Sequence, residues 1–248
     1  AKKISIVLTE KPYNQTFTVL ELIALGRHPY SSWMGTLDSA DQNVIDWAIT
    51  ETNINYLANK KLYELSDGQM QKVMIARALA QETDLILLDE PAAHLDLYSK
   101  IEVMKLLRKI AKNGKGILIS THDMQVSTQL SDWLWLFNFN EQVIAGTPED
   151  LILNGTLERT LYLENHGYDM IYGTVDLRQN DGIKIKVTGD EVKKFWTIQA
   201  LKRNGYLIDD NSEVEISSDN SWTLSTPEGS VQLNSIETLL AQLKTQFK

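Results

Sequence analysis

The spacing of apolar residues changes period several times along this chain, and each change marks an element. Ile4 to Leu8 is a short, β-prone run. Residues 18–26 read as a short helix ended by Gly26, and residues 27–37 as an irregular aromatic stretch punctuated by Gly35. Asp38 is placed to cap a helix over 39–51, with Val44, Trp47 and Ala48 on one face. Ser66 followed by Gln69 is a capping-box pattern, which predicts a helix over about 68–81 that buries Met70, Val73, Met74 and Ala78. Residues 84–89 form a continuous apolar run closed by an acid, and residues 116–120 form a second. Fully apolar strands belong to sheets covered on both faces, usually parallel ones. Helices are expected over 97–112 and 124–131, then strands at 133–139 and 142–146. Such strand–helix alternation means α/β with a parallel sheet.

Beyond Thr147-Pro148, helices are expected over 149–154 and 156–164, and near residue 176 the character changes. Ile183, Ile185 and Val187 alternate with polar residues, as in a half-buried strand. Residues 190–204 read as helix, then 206–208, 213–217, 221–225 and 229–233 as short strands, and 235–246 as a last helix. Phe195, Trp196, Ile198, Leu201, Tyr206 and Leu207 fit a small core built from one strand, one helix and a meander. The expected organisation is therefore a larger α/β domain over 1–175 and a small α+β domain over 176–248.

Composition narrows the function. Of the 248 residues, 43% are apolar and 23% charged, so a sizeable core can be buried. A net charge of −9 argues against general nucleic-acid binding, which needs a cationic face. The acidic excess persists over residues 176–248, so no cationic face for nucleic acid or anionic lipid is expected there. The chain holds no cysteine, which excludes disulfides, zinc–thiolate sites and thiol chemistry. No apolar run reaches the roughly 18 residues of a membrane span, and the opening residues lack the apolar core of a signal peptide. The cytoplasm is the expected compartment, with any membrane role arising through a partner.

Three segments carry candidate chemistry. The strand over 84–89 ends in Asp89, Glu90 and Pro91, where open α/β sheets bind ligands. One acid can hold a hydrated magnesium ion and the other can orient or deprotonate a water; two solvated acids at a strand end are the plainer alternative. The second strand ends in Thr121 and His122, and a histidine there can contact a transferring phosphate or serve structurally. In Leu65-Ser66-Asp67-Gly68-Gln69, the cap explains Ser66 and Gln69, but Gly68 costs up to about 1 kcal/mol against alanine in a helix interior. A close backbone approach gives it a reason, and N–H groups at a helix start suit a phosphate.

Taken in order, LSDGQMQKVMIARALA, LILLDEP, AHLD and STHD fall within about 60 residues. That series resembles the ATP-binding subunits of ABC transporters. Ser66, Gly68 and Gln69 match the signature motif, Asp89 and Glu90 the Walker B acids, Asp96 the D-loop and His122 the switch histidine. TVLELIALGRHPY with LDSAD is similar to the importers of iron-siderophore, haem and cobalamin.

The resemblance implies a P-loop NTPase-like ABC ATPase core, a parallel sheet with a helical subdomain at about 11–82, and the small C-terminal α+β domain beside it. It also implies ATP and Mg as cofactors. Two subunits would sandwich two nucleotides: Ser66, Gly68, Gln69 and Asp96 would serve the nucleotide and interface, Asp89 and Glu10 the metal, and Glu90 and His122 the hydrolysis. The implied partners are integral membrane permease subunits, a second ATPase subunit and, indirectly, a periplasmic substrate-binding protein, with the chain peripheral on the cytoplasmic face of the inner membrane. Tyr13, Phe17, Tyr30 and Trp33 suit a permease contact, or Trp33 and Trp47 form a small local core.

The sequence departs from the family pattern in three places. No GxxxxGK[ST] phosphate loop occurs, so an N-terminally truncated cassette is expected, inactive alone. Glu10 stands where the family usually has glutamine, and Asp67 where glycine is commoner. A non-transport ABC-type ATPase and a non-catalytic regulatory fragment are the alternatives.

Overall fold

Hydrogen bonding and packing sort these segments into two compact units, Ala1–Leu157 and Glu158–Lys248. The computed structural model describes residues 2–9, 16–30, 36–138, 142–162, 168–169, 174–175, 182–219 and 221–247. Glu10, Tyr13 and Trp33 lie outside the described residues. The division falls before the boundary expected near 175.

In the first unit, β1 (Ile4–Val7), β2 (Leu85–Asp89) and β3 (Gly116–Ser120) form a parallel sheet in the order β1-β2-β3. The register sets Ile6 beside Leu87 and Leu118, and Asp89 beside Ser120. One face buries Val7, Ile86 and Leu88, while Ile4, Ile6, Leu8 and Leu118 on the other are exposed. The expectation of a sheet covered on both faces thus holds for one face among the described residues. Aliphatic content reports that a strand is buried somewhere, but not on how many sides.

The helices begin where their caps are. Thr18 and Glu21 form a capping box on α1 (Val19–Ala24), and Asp38 and Asp41 another on α2 (Ser39–Glu51). Ser66 and Gln69 cap α3 (Asp67–Ala80), and Asp96 caps α4 (Leu97–Lys112). Asp123 caps α5 (Met124–Leu130), β4 (Leu134–Phe137) and β5 (Val143–Gly146) form a hairpin, and Thr147 caps α6 (Pro148–Leu153), with proline in the first turn. Helix α7 (Thr156–Thr160) spans the division.

Two expectations are corrected here. The buried face of α2 is Asp41, Ile45, Ala48 and Ile49, and Trp47 is exposed. Gly26 does not end α1: the chain continues through a 3₁₀ turn, Leu25–Arg27. A Cβ on Gly26 would lie 2.4 Å from the Arg77 carbonyl oxygen, so glycine allows this turn to press against α3.

Arg27 explains the rest of that stretch. Its guanidinium is buried, donating to Asp41 Oδ1 at 2.8 Å, to the Ala80 carbonyl at 2.8 Å and to Glu82 at 2.6 Å. The Tyr30 ring stacks on it at 4.2 Å, and the Tyr30 hydroxyl donates to the Gln81 carbonyl at 3.1 Å. Tyr30 is therefore half-buried and engaged, and Phe17 packs on the core. Neither is the free aromatic surface that a permease contact called for.

In the second unit, β6 (Tyr168–Asp169) pairs with β7 (Thr174–Val175). A five-stranded sheet follows, built from β8 (Lys184–Thr188), β9 (Leu207–Ile208), β10 (Glu215–Ser217), β11 (Trp222–Thr226) and β12 (Gly229–Leu233). Its order is β12-β11-β10-β8-β9. The meander is only β10 to β12. Strand β9 instead joins the far edge of β8 in parallel, after the crossover helix α8 (Glu191–Arg203). Helices α8 and α9 (Ile236–Gln246) give Leu201, Leu239 and Leu243 to a core with Ile185, Val187, Ile216 and Leu224. Trp196, expected in this core, is 60% exposed. Instead Trp222 is the half-buried indole, donating from Nε1 to Thr197 Oγ1 at 2.8 Å.

Candidate active site

Parallel pairing in register brings the carboxyl ends of three strands together. Asp89 is the last residue of β2. Its Oδ1 accepts from Ser120 Oγ at 2.6 Å and its Oδ2 from Thr9 Oγ1 at 3.1 Å, and the Thr9 hydroxyl also meets the Asp89 carbonyl at 2.8 Å. The sequence had singled out neither hydroxyl. Their signal is register: Ser120 ends β3 and Thr9 lies two residues past the end of β1, the two strands paired with β2.

Glu90 follows with φ of 45°, a left-handed backbone that costs a non-glycine residue about 1–2 kcal/mol. Its N–H still reaches the Ser120 carbonyl at 2.9 Å. The turn aims the carboxyl at the end of β3. There Oε2 accepts from Thr121 Oγ1 at 3.1 Å, and Oε1 lies 3.0 Å from the His122 amide nitrogen and 2.7 Å from Nδ1. A carboxylate only accepts, so Nδ1 carries the proton and Nε2 is left for another partner. The Glu90 side chain is 25% exposed and His122 85% exposed. This is a carboxylate fixed beside a reachable imidazole.

The signature residues lie close by. Ser66 Oγ accepts from the Gln69 amide at 3.3 Å, and Gln69 Oε1 from the Ser66 amide at 3.1 Å, so both are used in capping. Gly68 is buried, and a Cβ on it would lie 2.6 Å from Ser99 Oγ and 2.7 Å from Ser99 Cβ. The close approach expected of Gly68 is met here by α4. Ser99 is in turn held by Asp96, through its amide at 2.9 Å and its hydroxyl at 2.7 Å. Donation from that amide, then from the hydroxyl, keeps the Asp96 carboxyl below its ordinary range. Ser66, Gly68, Gln69 and Asp96 thus form one block at two adjacent helix starts. Asp123, after the histidine, is likewise held low by its ion pair with Lys100 and by the Val126 amide.

A cavity of about 210 Å³ lies beside Glu90, between Leu8 and Thr9 at the end of β1, α3 and the turn through His94. Asp67 lines it. Gly68→Ala is expected to destabilise the fold by about 1–3 kcal/mol, the range of overpacking, although alanine is the better helix former. Chemical denaturation measures this, and adding Ser99→Gly should recover most of the loss.

Residues 1–93 match the ABC transporter family and residues 182–244 the iron ABC transporter C-terminal domain. The petrobactin import ATP-binding protein YclP of Bacillus subtilis is 35% identical over 188 residues, covering 75% of this chain and 70% of that protein. An ABC transporter ATP-binding protein of Methanocaldococcus jannaschii is 35% identical over 73% of this chain and 62% of its own length. A metal-chelate type ABC transporter in an inward-facing conformation superposes with a TM-score of 0.61 at 27% identity, over 64% of each chain. The chain spans about three fifths of the length of the first curated relatives it matches. From the paired acids closing β2 and the capped signature helix to these matches along the chain, the observations agree that it belongs to the ATP-binding subunits of ABC transporters.

Proposed function

We propose that this chain supplies the water-activating half of an ATP-hydrolysing site in an importer of iron chelates of the siderophore type. The observation that carries the reading is Glu90, held by Thr121 and His122 at the ends of neighbouring parallel strands. Phosphoryl transfer calls mainly for positioning and charge stabilisation. Glu90 orients the attacking water and accepts its proton, and His122, which needs a proton on Nε2 as well as on Nδ1 to donate to an anion, holds the γ-phosphate in line. The oxygen-only set of Asp89, Thr9 and Ser120 fits the hydrated shell of Mg²⁺; the ion, when bound, screens the phosphate charge. Gly68 presents a helix-start N–H group, and Ser66 its hydroxyl proton, to a nucleotide held by a second ATPase subunit. Glu10 is proposed as a further metal contact.

Iron-chelate import is supported by the C-terminal match and by the relatives' names, which include the iron(3+)-hydroxamate import ATP-binding protein FhuC of Bacillus subtilis. Haem and cobalamin have no such support. No helix among the described residues is long and apolar enough to cross a membrane. The proposed place is the cytoplasmic face of a permease, served from outside by a substrate-binding protein.

These 248 residues hold no GxxxxGK[ST], so the phosphates are gripped chiefly from elsewhere. Titration calorimetry of the chain with Mg–ATP should give a Kd no tighter than about 1 mM. Magnesium-dependent micromolar binding would overturn that division of labour. For the transport reading, Glu90→Gln in the producing cell should abolish uptake of radioactive iron from siderophores while leaving uptake of free ferrous iron intact. Unchanged siderophore uptake would refute it.

A further inference from the structure

Helix α8 buries Thr197, Ala200 and Leu201 toward its sheet and turns a different set outward. At 100° per residue, Glu191, Val192, Phe195, Trp196, Gln199, Lys202 and Arg203 fall on one side of the helix. Val192 is 66% exposed and Trp196 60%. The Phe195 and Trp196 rings meet edge to face, with centroids 5.2 Å apart, so the aromatic pair is already arranged. Exposed aromatics of this kind are the anchors of protein interfaces.

The charges select what covers them. The stripe has an acid at its first residue and two bases at its last, with apolar residues between. Its positions mirror about Thr197: 191 with 203, 192 with 202, 195 with 199. A second α8 running antiparallel would set Glu191 against Arg203 of the partner subunit, twice over. It would also lay Val192 on the stem of the partner subunit's Lys202. A parallel copy would set like charges together. An anionic lipid surface would meet Glu191 at one end and an acidic surrounding sequence, so two bases are a poor match for it.

We infer that α8 is a self-complementary docking helix, which joins two copies of this chain antiparallel about a two-fold axis near Thr197. The contact is isologous, as closed homodimers require. It uses no residue of the nucleotide site, so either reading can fail without the other.

The test is sedimentation equilibrium of the full chain at tens of micromolar, with circular dichroism to confirm folding. The native chain is expected to dimerise. Trp196→Glu should weaken association at least 100-fold, and Glu191→Arg or Arg203→Glu at least tenfold each. The double reversal Glu191→Arg/Arg203→Glu should restore it, a recovery that dimerisation through any other surface would not give. A monomeric native chain overturns the inference, as does an association that single reversals leave unchanged. Binding to phosphatidylglycerol vesicles that Trp196→Glu abolishes, with the chain monomeric in solution, would overturn it in favour of a lipid surface.

Discussion

Glu90→Gln is expected to slow ATP hydrolysis by about 10²-fold or more, the range of a lost general base, in the protein as its cell makes it. The amide keeps the shape and still accepts one hydrogen bond, but it takes no proton from water. It also reverses one contact: an amide group facing Thr121 or His122 donates where the carboxylate accepted. ATP binding should change little, because Glu90 is spent on neighbouring side chains of the strand ends rather than on phosphates. His122→Ala should slow hydrolysis similarly and leave Glu90 with one donor fewer. Steady-state phosphate release, with equilibrium nucleotide binding measured separately, divides the two effects. Parental hydrolysis by Glu90→Gln would remove Glu90 from the mechanism.

The second large effect lies away from the site. Arg27→Met is expected to cost about 3–5 kcal/mol, the range for removing one partner of a buried ion pair. Arg27 links α2 through Asp41 to the end of α3 through the Ala80 carbonyl. The variant leaves a buried carboxylate and a carbonyl with no guanidinium to answer them. Asp41 also carries a pH signature. Hydrogen bonding from Arg27, chiefly, holds its carboxyl below the ordinary value of 3.8. A carboxyl lowered by folding stabilises the native state above its unfolded pKa, and that stability is lost as pH falls through the lowered value. The native chain should therefore lose stability below about pH 4 more steeply than Arg27→Met does. Urea melts of both proteins between pH 2.5 and 6, on the order of six points each, would measure it. Parallel curves would contradict the coupling.

Period and capping made most of the fold legible, because both are local. Ser66 with Gln69 and Asp38 before α2 each place a helix start within a residue of where it stands. What escaped was decided by distant partners. Arg27 sits in an aperiodic stretch, and its acceptors are 14 to 55 residues away. Gly26 reads as a helix stop, yet its reason is the Arg77 carbonyl. Strand β9 is two residues long, too short to carry a period that could tell parallel from antiparallel pairing. At the site, the acids and the histidine were visible as residue types at strand ends. Thr9 and Ser120 were not, since hydroxyls are common there and only the register joins them to Asp89. Residue type alone does not tell which side of α8 carries Trp196; its neighbours Thr197, Ala200 and Leu201 fill the inner face without it.

The contact between Gly68 and Ser99 carries a consequence for how such chains diverge. Two helix starts meet there with no space for a further methyl group, so residues 68 and 99 share one volume allowance. A lineage that enlarges one must first shrink the other, and the intermediate with two larger residues is the unstable one. Among homologous chains the pair should therefore vary jointly, larger against smaller, with a smaller residue entering at 99 before a larger one at 68. The signature glycine would then persist as much through its intramolecular neighbour as through any nucleotide.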